Sequence, residues 1–324
     1  MKILIDAMGG DHAPQEIVKG ALQAHEAYGA QIVLIGQKEA IEPCLTGDYR
    51  PEIIDAREVV TMEDDPSTAT RRKKDSSMAV ALRMLKNGEG DAVVSAGSTG
   101  ALLSGATLTT KRIRGIRRAA FAPVLPNGGS GCMLIDCGAN AECTPEYLLQ
   151  FAFMGSFYMQ KLHGVKTPRV GLLCNGTEEH KGDTLRHETW PLLQKAHEEG
   201  RICFVGNAEA NQIFSGDVDV LVTDGFTGNV LLKGMFYKNT KNKIAGLLIK
   251  SEFGDLKAQL DPSEVGGTAL LGISKPVIKA HGSSDAKAFQ SAIRQAIQFA
   301  ESGIIDEITA NIEYMRLDAA GEEA

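Results

Sequence analysis

The chain contains no CxxC pair, no GxGxxG or GxxxxGK[ST] loop and no GxSxG elbow, and no apolar run approaches the ~20 residues of a membrane span. Each absence removes a class of protein. Without paired spacing, Cys44, Cys132, Cys137, Cys143, Cys174 and Cys203 read as reduced, structural thiols, not as disulfides or a zinc site. Without a nucleotide loop, dinucleotide and ATP binding lose their support. Without a nucleophile elbow, a covalent serine mechanism is not indicated. The N-terminus starts on a strand pattern, not on a charged segment followed by an apolar core, so a cytoplasmic address is expected. Low-complexity linkers and short repeats are also missing. A formal charge of -7 argues against general nucleic-acid binding, which relies on a basic field.

With 43% hydrophobic and 23% charged residues, the composition is that of a soluble globular protein. Its 324 residues are enough for roughly two domain-sized units, although one large α/β body can hold them. Nine short apolar runs recur with helix-length spacers: KILIDAM, QIVLIG, PEIID, DAVVSAG, CMLIDCG, RVGLLCNG, ICFVGN, DVLVTDG and PVIKAHG. They predict strands of a mostly parallel sheet. Amphipathic patterns at 14–28, 76–87, 145–162 and 285–301 predict helices between them, hence α/β layering.

Six runs end in glycine mixed with small polar or charged residues: DAMGGDH, SAGSTG, DCGAN, CNGTEEHKG, TDGFTGN and AHGSSD. In open parallel sheets ligands bind beyond the carboxyl ends of the strands, so six such loops describe a large polar site. In SAGSTG, Ser98 or Thr99 can cap a helix while Gly97 and Gly100 turn backbone amides outward, which makes an anion cradle; a tight strand-to-helix turn needs the same residues. In NGTEEHKGD, Lys181 sits among Glu178, Glu179 and Asp183, where it can neutralise phosphate or an oxyanion, or simply belong to a solvated turn. TDGFTGN offers Asp224 and then Asn229, whose amide can donate to an oxyanion or cap a helix. His12 and His281 stand in strand-end loops and can handle a proton near neutral pH; Ser283 and Ser284 can cap the last long helix. Asp6, Asp11, Asp136 and Asp224 lack metal-site spacing, and no metal is expected. Two basic runs, RRKK at 71–74 and Lys111, Arg112, Arg114, Arg117 and Arg118, suggest either solvated faces or a landing site for an acidic partner.

Taken together, IDAMGGDHAP, RRKKDSSM, SAGSTGALL, RIRGIRRAAFAP, DCGANAECTPEYLLQFAFMGS, GTEEHKG, TDGFTGNVLLK and VIKAHGSSDAKAF resemble the acyl-acyl-carrier-protein:phosphate acyltransferases of bacterial phospholipid synthesis, from residue 2 to about residue 301. The resemblance implies a three-layer, doubly wound, mostly parallel α/β fold like that of phosphotransacetylases and isopropylmalate dehydrogenases. It implies transfer of a long-chain acyl group from acyl carrier protein to inorganic phosphate, no cofactor, a homodimer, and peripheral membrane contact with handover to a membrane glycerol-phosphate acyltransferase. The expected organisation is a single catalytic domain over 1–324 with a helical excursion at about 230–262. That excursion is shorter here than the family pattern, and its stripe Ile244, Leu247, Leu248 and Ile249, flanked by Lys241, Lys243 and Lys250, suits a bilayer surface or another helix.

On this reading phosphate is already a nucleophile, so the enzyme must hold it in line and stabilise an oxyanion. The expected phosphate site is Asp6, Gly9, Gly10, Gly97, Ser98, Thr99 and Gly100; the expected catalytic groups are Lys181, Asn229, His12, Asp224 and His281. The basic cluster Lys111, Arg112, Arg114, Arg117 and Arg118 is expected to bind the carrier. The alternatives are a phosphotransacetylase acting on acyl-coenzyme A and a non-catalytic carrier-protein or membrane scaffold.

Overall fold

The computed structural model describes residues 1–236 and 266–317. The expected excursion from residue 237 onward, with its apolar and lysine stripe, lies outside the described residues. The described residues form two compact units, the first made of residues 1–113 and 266–305 and the second of 114–236 and 306–317.

In the first unit the strands are β1 (Lys2–Asp6), β2 (Gln31–Gly36), β3 (Glu52–Asp55), β4 (Ala92–Ser95), β11 (Gly267–Leu271) and β12 (Val277–Ala280). Their order is β3-β2-β1-β4-β12-β11, parallel except for the β11–β12 pair. Ile3, Leu4, Ile5, Val93 and Val94 are all fully buried although successive side chains point to opposite faces, so both faces of this sheet are covered. The covering helices are α1 (Gln15–Tyr28), α4 (Ser77–Asn87), α5 (Thr99–Thr109) and α9 (Ala286–Glu301), with single turns α2 (Lys38–Ile41) and α3 (Ala69–Arg72) between. Their ends carry local signals. Ser76 and Asp285 accept the N–H of Ala79 and Ala288 to cap α4 and α9, while Gly29 and Gly88 take the left-handed turn that closes α1 and α4. Asp285 thus holds the cap expected of Ser283 or Ser284. Helix α1 lies on α9 at Gly20, where a Cβ would stand 2.5 Å from the Ala286 carbonyl oxygen.

The second unit has its own sheet in the order β6-β7-β10-β8-β9, built from β6 (Val124–Leu125), β7 (Cys132–Ile135), β8 (Arg169–Leu173), β9 (Cys203–Ala208) and β10 (Val220–Val222), parallel except for β6. A short strand β5 (Ala120–Ala122) precedes it. Helices α6 (Pro145–His163), α7 (Thr184–Glu198) and α8 (Gly225–Phe236) complete the unit. Phe151, Phe153 and Tyr158 of α6 are fully buried, each contributing about 1.5–3 kcal/mol by leaving water. All nine predicted strands and all four predicted helices are present; β5, β6 and β11 were not foreseen.

Candidate functional site

In both units the polar loops stand at the carboxyl ends of parallel strands. In the first unit the sheet register sets Asp6 of β1 opposite Ser95 of β4, and Ser95 opposite Lys279 of β12. Asp6 and Ser95 therefore end their strands side by side, and Lys279, one residue before the end of β12, stands in line with them. Asp6 is 1% exposed, and its carboxylate accepts Ser77 Oγ at 2.5 Å and Ser95 Oγ at 2.6 Å. Burial pushes its pKa up, against the opposing pull of these hydroxyls. The side chain expected to meet phosphate instead turns inward, where it ties β1 to β4 and to the start of α4.

Ser95 Oγ also accepts the Gly97 N–H at 3.1 Å, which fixes the start of the SAGSTG loop. Ser98 caps α5 by accepting the Ala101 N–H, and exposed Thr99 is the first helical residue. The glycines answer mainly to neighbouring protein. A Cβ on Gly9 would stand 2.7 Å from the Gly97 nitrogen, and one on Gly100 would stand 2.8 Å from Pro66 Cβ. Gly10 has φ 116° and sits against Ala96 and Gly282, and the Asp11 N–H donates to the Gly282 carbonyl at 2.8 Å. The loops after β1, β4 and β12 thus meet. His12 and His281 are exposed on them, and His281 Nδ1 accepts the Ser283 N–H at 3.2 Å, leaving Nε2 to carry the proton in the neutral ring.

Lys279 was absent from the expected site. It is 9% exposed, and its ammonium donates to the carbonyl of Ala280 and, at 3.3 Å, to that of Ala96, the residue before Gly97. Burial pulls its pKa down to about 8, although the Asp6 and Asp11 carboxylates act in the opposite direction.

In the second unit the DCGAN and TDGFTGN loops interlock. Asp136 is fully buried and accepts the N–H groups of Phe121, Ala139 and Asn140, the last at 2.7 Å, and also the Asn140 amide. Burial raises its pKa to about 6. Gly225 N donates to the Asn140 carbonyl at 2.7 Å, and a Cβ on Gly228 would fall 2.0 Å from the Asp136 carbonyl oxygen. Close packing of one loop on another, not room for a ligand, accounts for these glycines.

Asp224 caps α8 by accepting the Thr227 N–H at 2.8 Å, so capping, one of the two uses open to Asn229, falls to Asp224. It also accepts Thr227 Oγ1 at 2.8 Å and Arg186 Nη2 at 2.7 Å. Burial raises its pKa, but these donors together outweigh it and hold the carboxyl below the usual range. Asn229 is half-buried in the second turn of α8, and its amide faces Gly138 of the DCGAN loop: a Cβ there would lie 3.4 Å from the amide nitrogen. Lys181 is half-buried, and among the described residues no carboxylate pairs with it; Asp183, expected to hold it, instead caps α7 and pairs with Arg186 at 3.1 Å.

The basic cluster is exposed except for partly covered Arg112. Arg117 pairs with Glu146 at 3.1 Å, and Arg118 lies 5.3 Å over the Tyr147 ring. In the other basic run, Lys73 pairs with Asp64 at 2.6 Å. No described helix is long and apolar enough to cross a membrane.

A family model described as "Fatty acid synthesis protein" matches residues 1–307. A phosphate acyltransferase of Oceanobacillus iheyensis is 45% identical over 97% of this chain and 98% of its own length, and one of Clostridium novyi is 46% identical over 97% and 99%. Among solved structures, a phosphotransacetylase from Streptococcus pyogenes superposes with a TM-score of 0.62 at 18% identity over 92% of this chain and 94% of its own. A branched-chain phosphotransacylase from Enterococcus faecalis gives 0.60 at 17% identity over 93% and 99%. Likenesses at this identity speak for the fold.

Proposed function

The chain belongs to the fatty acid synthesis protein family and is an acyltransferase with phosphate as acceptor, and from that premise we propose that its donor is a long-chain acyl thioester of acyl carrier protein. The observation that carries the reading is near full-length identity of about 45% to phosphate acyltransferases. The polar strand-end loops offer donors and cations for an anion, and a phosphate nucleophile needs no activated serine.

A phosphate oxygen attacks the thioester carbonyl carbon, the C–O bond forms, and charge builds on the carbonyl oxygen. That oxyanion then collapses, the C–S bond breaks, and the thiolate leaves to take a proton. The products are an acyl phosphate and the carrier's free thiol. In this reading Ser98, Thr99 and the amides opening α5 hold phosphate, where an N-terminus favours an anion. Asn229 and Lys181 supply the donor and the positive charge for the oxyanion. His12 and His281 take up or release protons. Asp6 and Asp224 act as positioning residues, because the hydroxyls of Ser77 and Ser95 and the donors of Thr227 and Arg186 already occupy their carboxylates.

Lys111, Arg112, Arg114, Arg117 and Arg118 receive the acidic carrier. A homodimer, peripheral contact with the membrane from the cytoplasmic side, and handover of acyl phosphate to a membrane glycerol-phosphate acyltransferase complete the proposal. The test is incubation with long-chain acyl carrier protein, followed by assay of acyl phosphate and free thiol. Phosphate-dependent release of both products supports the reading. Faster turnover of acyl-coenzyme A would make the chain a phosphotransacetylase, and no thiol release from either donor would make it a scaffold.

A further inference from the structure

A lysine ammonium has three N–H donors and a charge that is costly to remove from water unless it is paired. Lys279 spends donors on two backbone carbonyls, those of Ala96 and Ala280. Among the described residues no carboxylate lies within ion-pair distance of it: Asp6, the acid two strands away in register, gives its oxygens to the hydroxyls of Ser77 and Ser95. The ammonium therefore has unused donor capacity and no contacting counter-charge.

Its place is equally specific. Ala96 immediately precedes the Gly97–Gly100 loop, and Gly10 packs on Ala96 and on the Gly282 carbonyl, so the strand-end loops of β1, β4 and β12 converge around the Lys279 ammonium. A parallel sheet covered on both faces normally fills its strand positions with apolar side chains, and a lysine in the middle of VIKA has no packing reason to be there.

We propose that Lys279 is the phosphate-binding cation of this acyltransferase, donating to an oxygen of inorganic phosphate seated at the SAGSTG loop. The assignment rests on phosphate as the acyl acceptor and adds the residue that neutralises it. The depressed pKa of the buried ammonium agrees with a cation lacking its anion.

The test uses the full chain and two variants, Lys279→Met and Lys279→Gln. Inorganic phosphate, added at constant ionic strength without acyl donor, should raise the Tm of the unmodified chain and leave both variants unmoved. In steady state the KM for phosphate should rise roughly 10- to 100-fold, the effect of losing a hydrogen bond from a charged group, while the KM for the acyl donor stays within about twofold. Should a variant not fold, acetylation of Lys279 in the unmodified chain, read by peptide mass, must slow when phosphate is present. Variants that keep the phosphate-induced Tm shift, equal rises in both KM values, or acetylation indifferent to phosphate overturn the assignment. Phosphate binding through Lys279 in a chain that forms no acyl phosphate would instead overturn the acyl-transfer reading and leave Lys279 standing.

Discussion

Arg186 of α7 donates to Asp224 at 2.7 Å, with both side chains less than a tenth exposed. The same guanidinium donates to the Leu173 carbonyl at 3.1 Å and to Thr223 Oγ1 at 2.9 Å, so one side chain joins the ends of β8 and β10 to the start of α7. Because Asp224 also caps α8, this pair sets the angle at which α8 leaves the sheet and carries Asn229. Removing Arg186 leaves the buried Asp224 carboxylate without its counter-charge, held by the Thr227 donors. Arg186→Leu should therefore lose about 3–5 kcal/mol of stability in urea unfolding. A loss below about 1 kcal/mol would mean that the pair is better solvated than its geometry indicates.

A second expectation concerns the interlocked glycines. Gly228→Ala places a methyl where the Asp136 carbonyl oxygen lies 2.0 Å away, and backbone there must move. The cost should be about 1–3 kcal/mol, with a fall in kcat as the DCGAN loop shifts away from Asn229. Gly234→Ala, on the exposed side of the same helix with nothing within 4 Å, should instead be neutral or stabilise by roughly 0.5–1 kcal/mol. Equal stability changes in the two variants would refute the steric account.

Asn229→Ala and Lys181→Ala should each lower kcat by ~10² to 10³, the usual loss of one preorganised oxyanion donor, with unchanged far-UV circular dichroism. Neither side chain carries a structural ion pair or helix cap in the described chain, so a folded but inactive protein is the expected phenotype. Near-normal kcat in both would remove them from the reacting centre and turn attention to His12 and His281.

Asp136 makes stability depend on pH in a definite direction. Its folded pKa of about 6 lies above the ordinary 3.8 because burial disfavours the carboxylate. The folded state therefore binds the proton more tightly; the stabilisation is full below about pH 4 and is lost as pH rises through about 6. Relative to Asp136→Asn, the unmodified chain should lose about 2 kcal/mol between about pH 4.5 and about pH 7.5 in urea unfolding. A difference that stays flat across that window contradicts the buried-carboxyl account. Asp64, held near 2 by Lys73 and the Thr61 backbone, acts in the opposite sense and at lower pH, so it does not mask the effect.

What the chain displays locally was legible in its sequence, and what depends on distant partners was not. Runs such as KILIDAM and QIVLIG predict buried parallel strands because an apolar stretch of that length has few other uses. Strand order is non-local, and GTALL gives no sign that it pairs antiparallel with β12. Lys279 escaped notice because a lysine within VIKA reads as a side chain directed at solvent; its burial follows only from helices on both sheet faces. Arg186 was hidden in the same way on α7, and the strand-end glycines, read as openings for a ligand, turned out to meet neighbouring loops. The site loops could be found from composition, but their mutual support required the register.

The exposed cations set the last expectation. An acidic carrier meeting a chain of formal charge -7 must be steered by a local positive patch, and the side chains best able to do this are those not already engaged. Arg117 is paired with Glu146 and Arg118 lies over Tyr147, whereas exposed Lys111 and Arg114 make no ion pair among the described residues. Reversing Arg117 would set two carboxylates together and confuse structure with binding; reversing Lys111 and Arg114 avoids that. The double variant Lys111→Glu, Arg114→Glu should raise the KM for acyl carrier protein roughly three- to tenfold at low salt, as expected for exposed charge pairs. The increase should shrink as salt screens the encounter, and kcat and the use of a small acyl-thioester donor should hardly change. Equal losses with both donors would move these cations into the reacting centre. An unchanged KM for the carrier at every salt concentration would leave them as part of a solvated face.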